Sequence, residues 1–243
     1  MLDGLRPAQK QWLWGLLLVV LTCAVYLPVL QATFVWDDSF MVTDNKMLRT
    51  ASGLHDIWLT NKPADHIPVT LSALWLQYQL WGTNPLGFHV VNVVLHALGA
   101  VLLWRLLLRL RLPGAWLAAA VFALHPVCAA SAAWVSEQKN TVSLIFYLWT
   151  VLCYLRFEEK PSSRKYAVAL VVFVFTLLTK GSVVVLPAVL LLLVWWKNRT
   201  LRRADFLRLV PFFVLAFGEA LAAIWFQNHR AIGGEMIQDL KWS

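Results

Sequence analysis

Residues 88–110 read FHVVNVVLHALGAVLLWRLLLRL. The run has no acid, and its arginines, Arg105 and Arg109, fall at one end. About 20 predominantly apolar residues cross a bilayer as a helix, so this stretch decides the fold class. Outward from it, comparable runs occupy residues 12–30, 115–134, 141–157, 166–178, 183–196 and 206–226. Together they predict an all-α polytopic membrane helix bundle of about seven spans. Composition agrees: 60% of the 243 residues are hydrophobic and 14% charged, against about 45–50% and about 25% in a soluble domain. A water-soluble globule is excluded, and 14 Trp with 13 Phe exclude disorder. The run 166–178 is short for a span, so Lys165 and Lys180 have to snorkel at its ends, or the bilayer has to thin.

The first run follows Arg6 and Lys10. It is long for a signal-peptide core and lacks a clear small-residue cleavage site, so it reads as an uncleaved span. The formal net charge is +8, which in a soluble protein would suggest nucleic acid. Here the basic residues cluster beside apolar runs, and no nucleic-acid partner is expected. Topology explains them better: the N-terminal segment with Arg6 and Lys10 and the alternate polar segments around 105–111, 156–165 and 197–208 hold about twice as many cations as the other side, which sets the N-terminus inside. Cys23, Cys128 and Cys153 lie in or near apolar segments at spacings that fit no metal or disulfide pattern, and read as small buried residues.

The first outer loop spans 31–87; its part 31–65 is the longest polar stretch and holds Asp37, Asp38, Asp44, Asp56 and Asp65. Within it residues 66–82 read as an amphipathic helix lying along the membrane surface. Ile67, Leu71, Leu74, Trp75, Tyr78 and Trp81 fall on one face, and Thr70, Ala73 and Gln77 fall opposite.

Five groups can carry chemistry. Asp37 and Asp38 form an adjacent carboxylate pair beside apolar Phe34-Val-Trp36; such a pair holds a divalent metal, supplies a general base, or is a solvated loop pair. His89, Asn92 and His96 make a polar stripe on one helix face, which reads as a wet functional cavity or as interhelical packing. Around His125 to Asn140 a second polar knot carries Glu137, able to complement Asp37, and Lys139, a point charge for a phosphate. Lys180 can grip a lipid phosphate or simply snorkel. Glu219 lies inside the last run, where a carboxylate is costly unless protonated, paired, or reaching the interface.

At these residues the chain resembles a family. The matching stretches are Phe34-Val-Trp-Asp-Asp38, Ile67-Pro-Val-Thr70, residues 81–96, Ala123-Leu-His-Pro-Val127, residues 133–140, Leu178-Thr-Lys180, Pro211-Phe-Phe213 and residues 225–234. In this order they resemble bacterial relatives of the transmembrane and tetratricopeptide repeat O-mannosyltransferases, glycosyltransferases of GT-C type. The resemblance implies a polyprenyl-phosphate sugar donor, a protein or lipid acceptor, and transfer on the periplasmic face of a bacterial inner membrane. It implies Asp37 or Asp38 as the base, with Lys139 and Lys180 holding the donor phosphate. Further spans and tetratricopeptide repeats are expected beyond residue 243. Cys128, Ala130 and Gln138 depart from the family pattern, which usually carries His, Glu and Arg there. The competing reading is a non-catalytic membrane scaffold, or a transporter whose path uses His89, His96 or Glu219.

Overall fold

The computed structural model describes residues 6–230, which are helical and irregular with no strand among them. Residues 231–243, including Lys241 and the end of the 225–234 stretch, lie outside the described residues. The helices are α1 (Pro7–Val25), α2 (Gly53–Leu59), α3 (Pro68–Trp81), α4 (Pro85–Arg109), α5 (Ala115–Leu124), α6 (Ala129–Ala133), α7 (Gln138–Glu159), α8 (Ser163–Leu177), α9 (Leu186–Asn198) and α10 (Arg203–Arg230). Five segments are long and apolar enough to cross a membrane: Ala8–Val25, Pro85–Arg109, Gln138–Glu159, Gly181–Asn198 and Arg203–His229. The protein is an integral membrane protein.

Two of the seven expected spans come out differently. The run 115–134 is not one helix but two pieces, bent by 55° at the break between α5 and Pro126. Pro126 supplies no N–H and forces the residue before it out of helical geometry; His125 is accordingly extended, with φ −70° and ψ 133°. The run 166–178 becomes α8, whose 15 residues reach only about 22 Å, less than the roughly 30 Å hydrocarbon core. The first span also ends early. Pro28 stops α1 at Val25, and a 3-10 turn, Leu27–Gln31, follows.

The chain forms two compact units, Met1–Asp44 with Trp81–Leu152 and Asn45–Leu80 with Cys153–Ser243. In the first, α1 packs on α4 and α5 through Leu18, Trp104 and the small residues Ala100, Ala115, Ala119, Ala120 and Ala123. Small side chains let helix backbones approach where hydrophobicity alone does not distinguish helix from lipid. Gly99 allows the same of α4: a Cβ there would lie 2.7 Å from Leu144 of α7.

In the second unit Phe212 of α10 is fully buried among Tyr154, Tyr166 and Phe173. The start of α3 is fastened to the end of α8: the Val69 amide donates to the Leu178 carbonyl at 3.0 Å, and the Thr70 hydroxyl to the Thr179 carbonyl at 2.8 Å. This overturns the expected polar face of α3. Thr70 and Gln77 are buried with Leu71 and Leu74, while Leu76 and Leu80 are 54% and 63% exposed. The polar side chains go inside because each has a carbonyl to donate to, Gln77 using that of Ala73 at 2.8 Å.

The loop before α3 is also more ordered than a polar linker. The Trp75 ring N–H donates to Thr50 O at 2.9 Å and the Gln79 amide to Leu48 O at 2.6 Å. Gly53 opens α2 directly against Met47, where an added Cβ would sit 1.6 Å from the Met47 carbonyl oxygen. Gly53→Ala is therefore expected to displace that turn and cost about 1–3 kcal/mol, measured as a fall in thermal unfolding temperature of the detergent-solubilised protein.

Candidate functional site

The first unit brings the acidic pair against the 134–140 segment. Asp38 is fully buried. Its Oδ2 accepts the Val35 amide at 3.0 Å, and its Oδ1 accepts the Ser136 amide at 2.6 Å. The Val35 carbonyl accepts the Asp38 amide at 3.0 Å and the Trp134 ring N–H at 3.2 Å. The turn between them places Trp36 at φ +49°, a conformation that costs a non-glycine residue roughly 1–2 kcal/mol. The four hydrogen bonds around it hold that turn. Asp37, next in the chain, stays exposed. The two carboxylates thus have different environments: Asp38 has an amide on each oxygen, and Asp37 faces outward.

The polar stripe of α4 meets the broken helix. His89 Nδ1 lies 3.0 Å from the Ala133 carbonyl and His96 Nε2 3.0 Å from that of Ala123. Asn92 donates to the carbonyls of Ser131 (3.0 Å) and Trp134 (3.1 Å) and accepts the Thr141 hydroxyl at 2.6 Å. A break inside an apolar helix leaves carbonyls without intrahelical donors, and these side chains supply the donors. A carbonyl only accepts, so His89 carries its proton on Nδ1; its buried Nε2 has no partner. His125 sits apart, exposed at the break, its Nδ1 accepting the Val127 amide at 3.1 Å.

Glu137 and Lys139 pair with each other at 3.1 Å, and Asn140 donates to the second Glu137 oxygen. Among the described residues no three His, Cys, Asp or Glu side chains converge as a metal cluster would.

Lys180 belongs to the second unit. It caps the 3-10 turn Gly181–Val185, directly after the carbonyls that receive Val69 and Thr70. Beside this bend lies a pair absent from the sequence reading. His66 Nδ1 is 2.9 Å from the Glu219 carboxylate, and its ring stacks on Phe226 at 5.1 Å. A single loop histidine has no motif to mark it; the available signal was Glu219, a buried acid in an apolar helix that needs a partner. The hydrogen bond to Glu219 raises the His66 pKa above its ordinary value, against the opposing effect of burial.

With this geometry in hand, the comparisons identify the family. Residues 63–225 match the model for dolichyl-phosphate-mannose-protein mannosyltransferases, and the chain belongs to that family. Similar proteins include a protein O-mannosyl-transferase of Caenorhabditis elegans, 28% identical over 59% of this chain and 23% of its own length. Protein O-mannosyl-transferase Tmtc1 of Drosophila melanogaster is 32% identical over 56% of this chain and 17% of its own. TMTC3 of Homo sapiens is 28% identical over 67% and 19% respectively. The chain therefore spans about a fifth of these relatives. No solved structure matches.

Two outcomes are expected. Asp38→Asn turns one of two acceptor oxygens into a donor facing an amide, and should cost about 1–3 kcal/mol. Asp37→Asn, on an exposed side chain, should stay within about 0.5 kcal/mol of wild type; thermal unfolding of both variants checks this. Because the His66 pKa is raised in the folded protein, the stability it brings is fully present below its unfolded value. That stability is lost as pH rises through the folded one. The unfolding temperature should fall by roughly a few degrees from pH 6 to pH 8.5, and His66→Gln should flatten the dependence.

Proposed function

We propose that the protein is a membrane glycosyltransferase that moves a sugar from a polyprenyl phosphate to a hydroxyl acceptor, on protein, at the outer face of the membrane. The observation that carries this reading is the division of labour between the two acids. Asp38 is consumed by two backbone amides, which fixes the turn and leaves Asp37 oriented outward at a rigid site. Asp37 then acts as the base: it takes the proton of the acceptor hydroxyl as that oxygen bonds to the anomeric carbon. The bond from that carbon to the phosphate oxygen breaks on the opposite face, so configuration inverts. Asp38 is a positioning residue.

Charge develops on the departing polyprenyl phosphate, and fixed cations there give the largest stabilisation. Lys139, in the unit that holds Asp37, is the candidate cation, with Glu137 setting its direction. The prenyl tail needs no pocket for a soluble nucleotide because it partitions into the bilayer. The N-terminus is assigned to the cytoplasm from the charge bias, in a bacterial inner membrane, with the repeats of the family following the membrane part.

The transporter reading is less favoured, since His89 and His96 are committed to backbone carbonyls. The test supplies radiolabelled polyprenyl-phosphate sugars to membranes carrying the full-length protein and follows label into acceptors. A positioned general base contributes about 10²–10⁴-fold, so Asp37→Asn should lose transfer by that order at unchanged expression. Absence of transfer from every donor, where an active relative works, would favour a non-catalytic scaffold.

A further inference from the structure

At the other end of α8, α9 and α10 from Lys180, the second unit has a cleft of about 440 Å³. That volume lies in the range of small-ligand sites, roughly 300–1,000 Å³. Its walls come from the end of α7, the turn before α8, the end of α9 and the start of α10. The lining is layered by charge. Glu158 and Asp205 lie deep, their side chains 10% and 7% exposed, and Arg208 sits 3.4 Å and 3.7 Å from them. Above them Lys197 is 41% exposed, and Arg202 is exposed at the rim. Asp205 is occupied further, its Oδ2 accepting the Arg202 amide at 2.9 Å.

Arg208 lies between the two acids and also rests over the Phe157 ring at 5.4 Å. Outward the rim presents Arg202 and Lys197, the latter 3.7 Å from the exposed Glu159, and the lining holds three cations to two acids. Asn198 and Thr200 add hydrogen-bonding groups between the cations, and Leu155 and Val194 add an apolar wall. Trp195, near the end of α9, and Phe206, near the start of α10, are 47% and 48% exposed. Aromatic residues at helix ends sit at headgroup depth, and basic pockets between spanning helices at that depth receive anionic lipid heads.

We propose that this cleft binds the phosphate of an anionic phospholipid headgroup, with Lys197 and Arg202 as its cations and Arg208 held by Glu158 and Asp205 in the same lining. The cleft lies at the opposite helix ends from Lys180 within the second unit, and the proposal does not depend on the transferase reading.

The test equilibrates the full-length protein in mixed micelles of phosphatidylglycerol and phosphatidylcholine and counts retained lipids by native mass spectrometry. Wild type is expected to retain phosphatidylglycerol selectively. K197Q/R202Q, with both changes on exposed side chains, should lower that retention roughly tenfold or more while the unfolding temperature holds. R164Q, an exposed cation outside the lining, should leave it unchanged. Equal retention by wild type and K197Q/R202Q would overturn the proposal. So would equal loss in R164Q, which would mean general surface attraction. Displacement of the lipid by millimolar inorganic phosphate would overturn the lipid assignment in favour of a soluble anion.

Discussion

The bond from the Ser136 amide to the buried Asp38 carboxylate, at 2.6 Å, ties two segments almost a hundred residues apart. Burying a carboxylate is expensive unless its oxygens are satisfied. Asp38 meets that condition only when the 34–38 turn and the 134–136 segment are both in place. The same constraint accounts for the unfavourable backbone of Trp36 and for the outward position of Asp37. An acid that must be buried makes its neighbour available.

The segment supplying that amide exists because the span is broken. Pro126 ends one helix and sends the chain into a short second one, and the carbonyls freed by the break are met by His89, Asn92 and His96. A stripe that reads equally as a solute path therefore has a different employment. It fixes the height and orientation of residues 131–136, and through them the acidic turn. Backbone irregularity at membrane depth is tolerated where protein donors surround it, and here it delivers a polar loop to the end of a helix bundle.

The helical class was legible because apolar runs near span length have few alternatives. The break was marked by Pro126, yet an apolar run on both sides masked it. The polar face of α3 was not legible: periodicity counts Thr70 and Gln77 as polar, whereas the distant Thr179 carbonyl makes burial of Thr70 favourable. The acidic pair was visible as chemistry, but adjacent aspartates look alike until Ser136 distinguishes them. His66 was invisible for the same reason, since its meaning comes from Glu219, 153 residues away.

Asp37 and Asp38 have unequal environments, and carboxyl labelling reads that difference directly. The folded protein would be treated with a water-soluble carbodiimide and an amine nucleophile, and modification at the two residues resolved by fragment mass spectrometry. Asp37 is expected to label rapidly and Asp38 to stay protected until the protein is unfolded. Equal labelling of both in the folded protein, or protection of Asp37 instead, would contradict the division of roles between them.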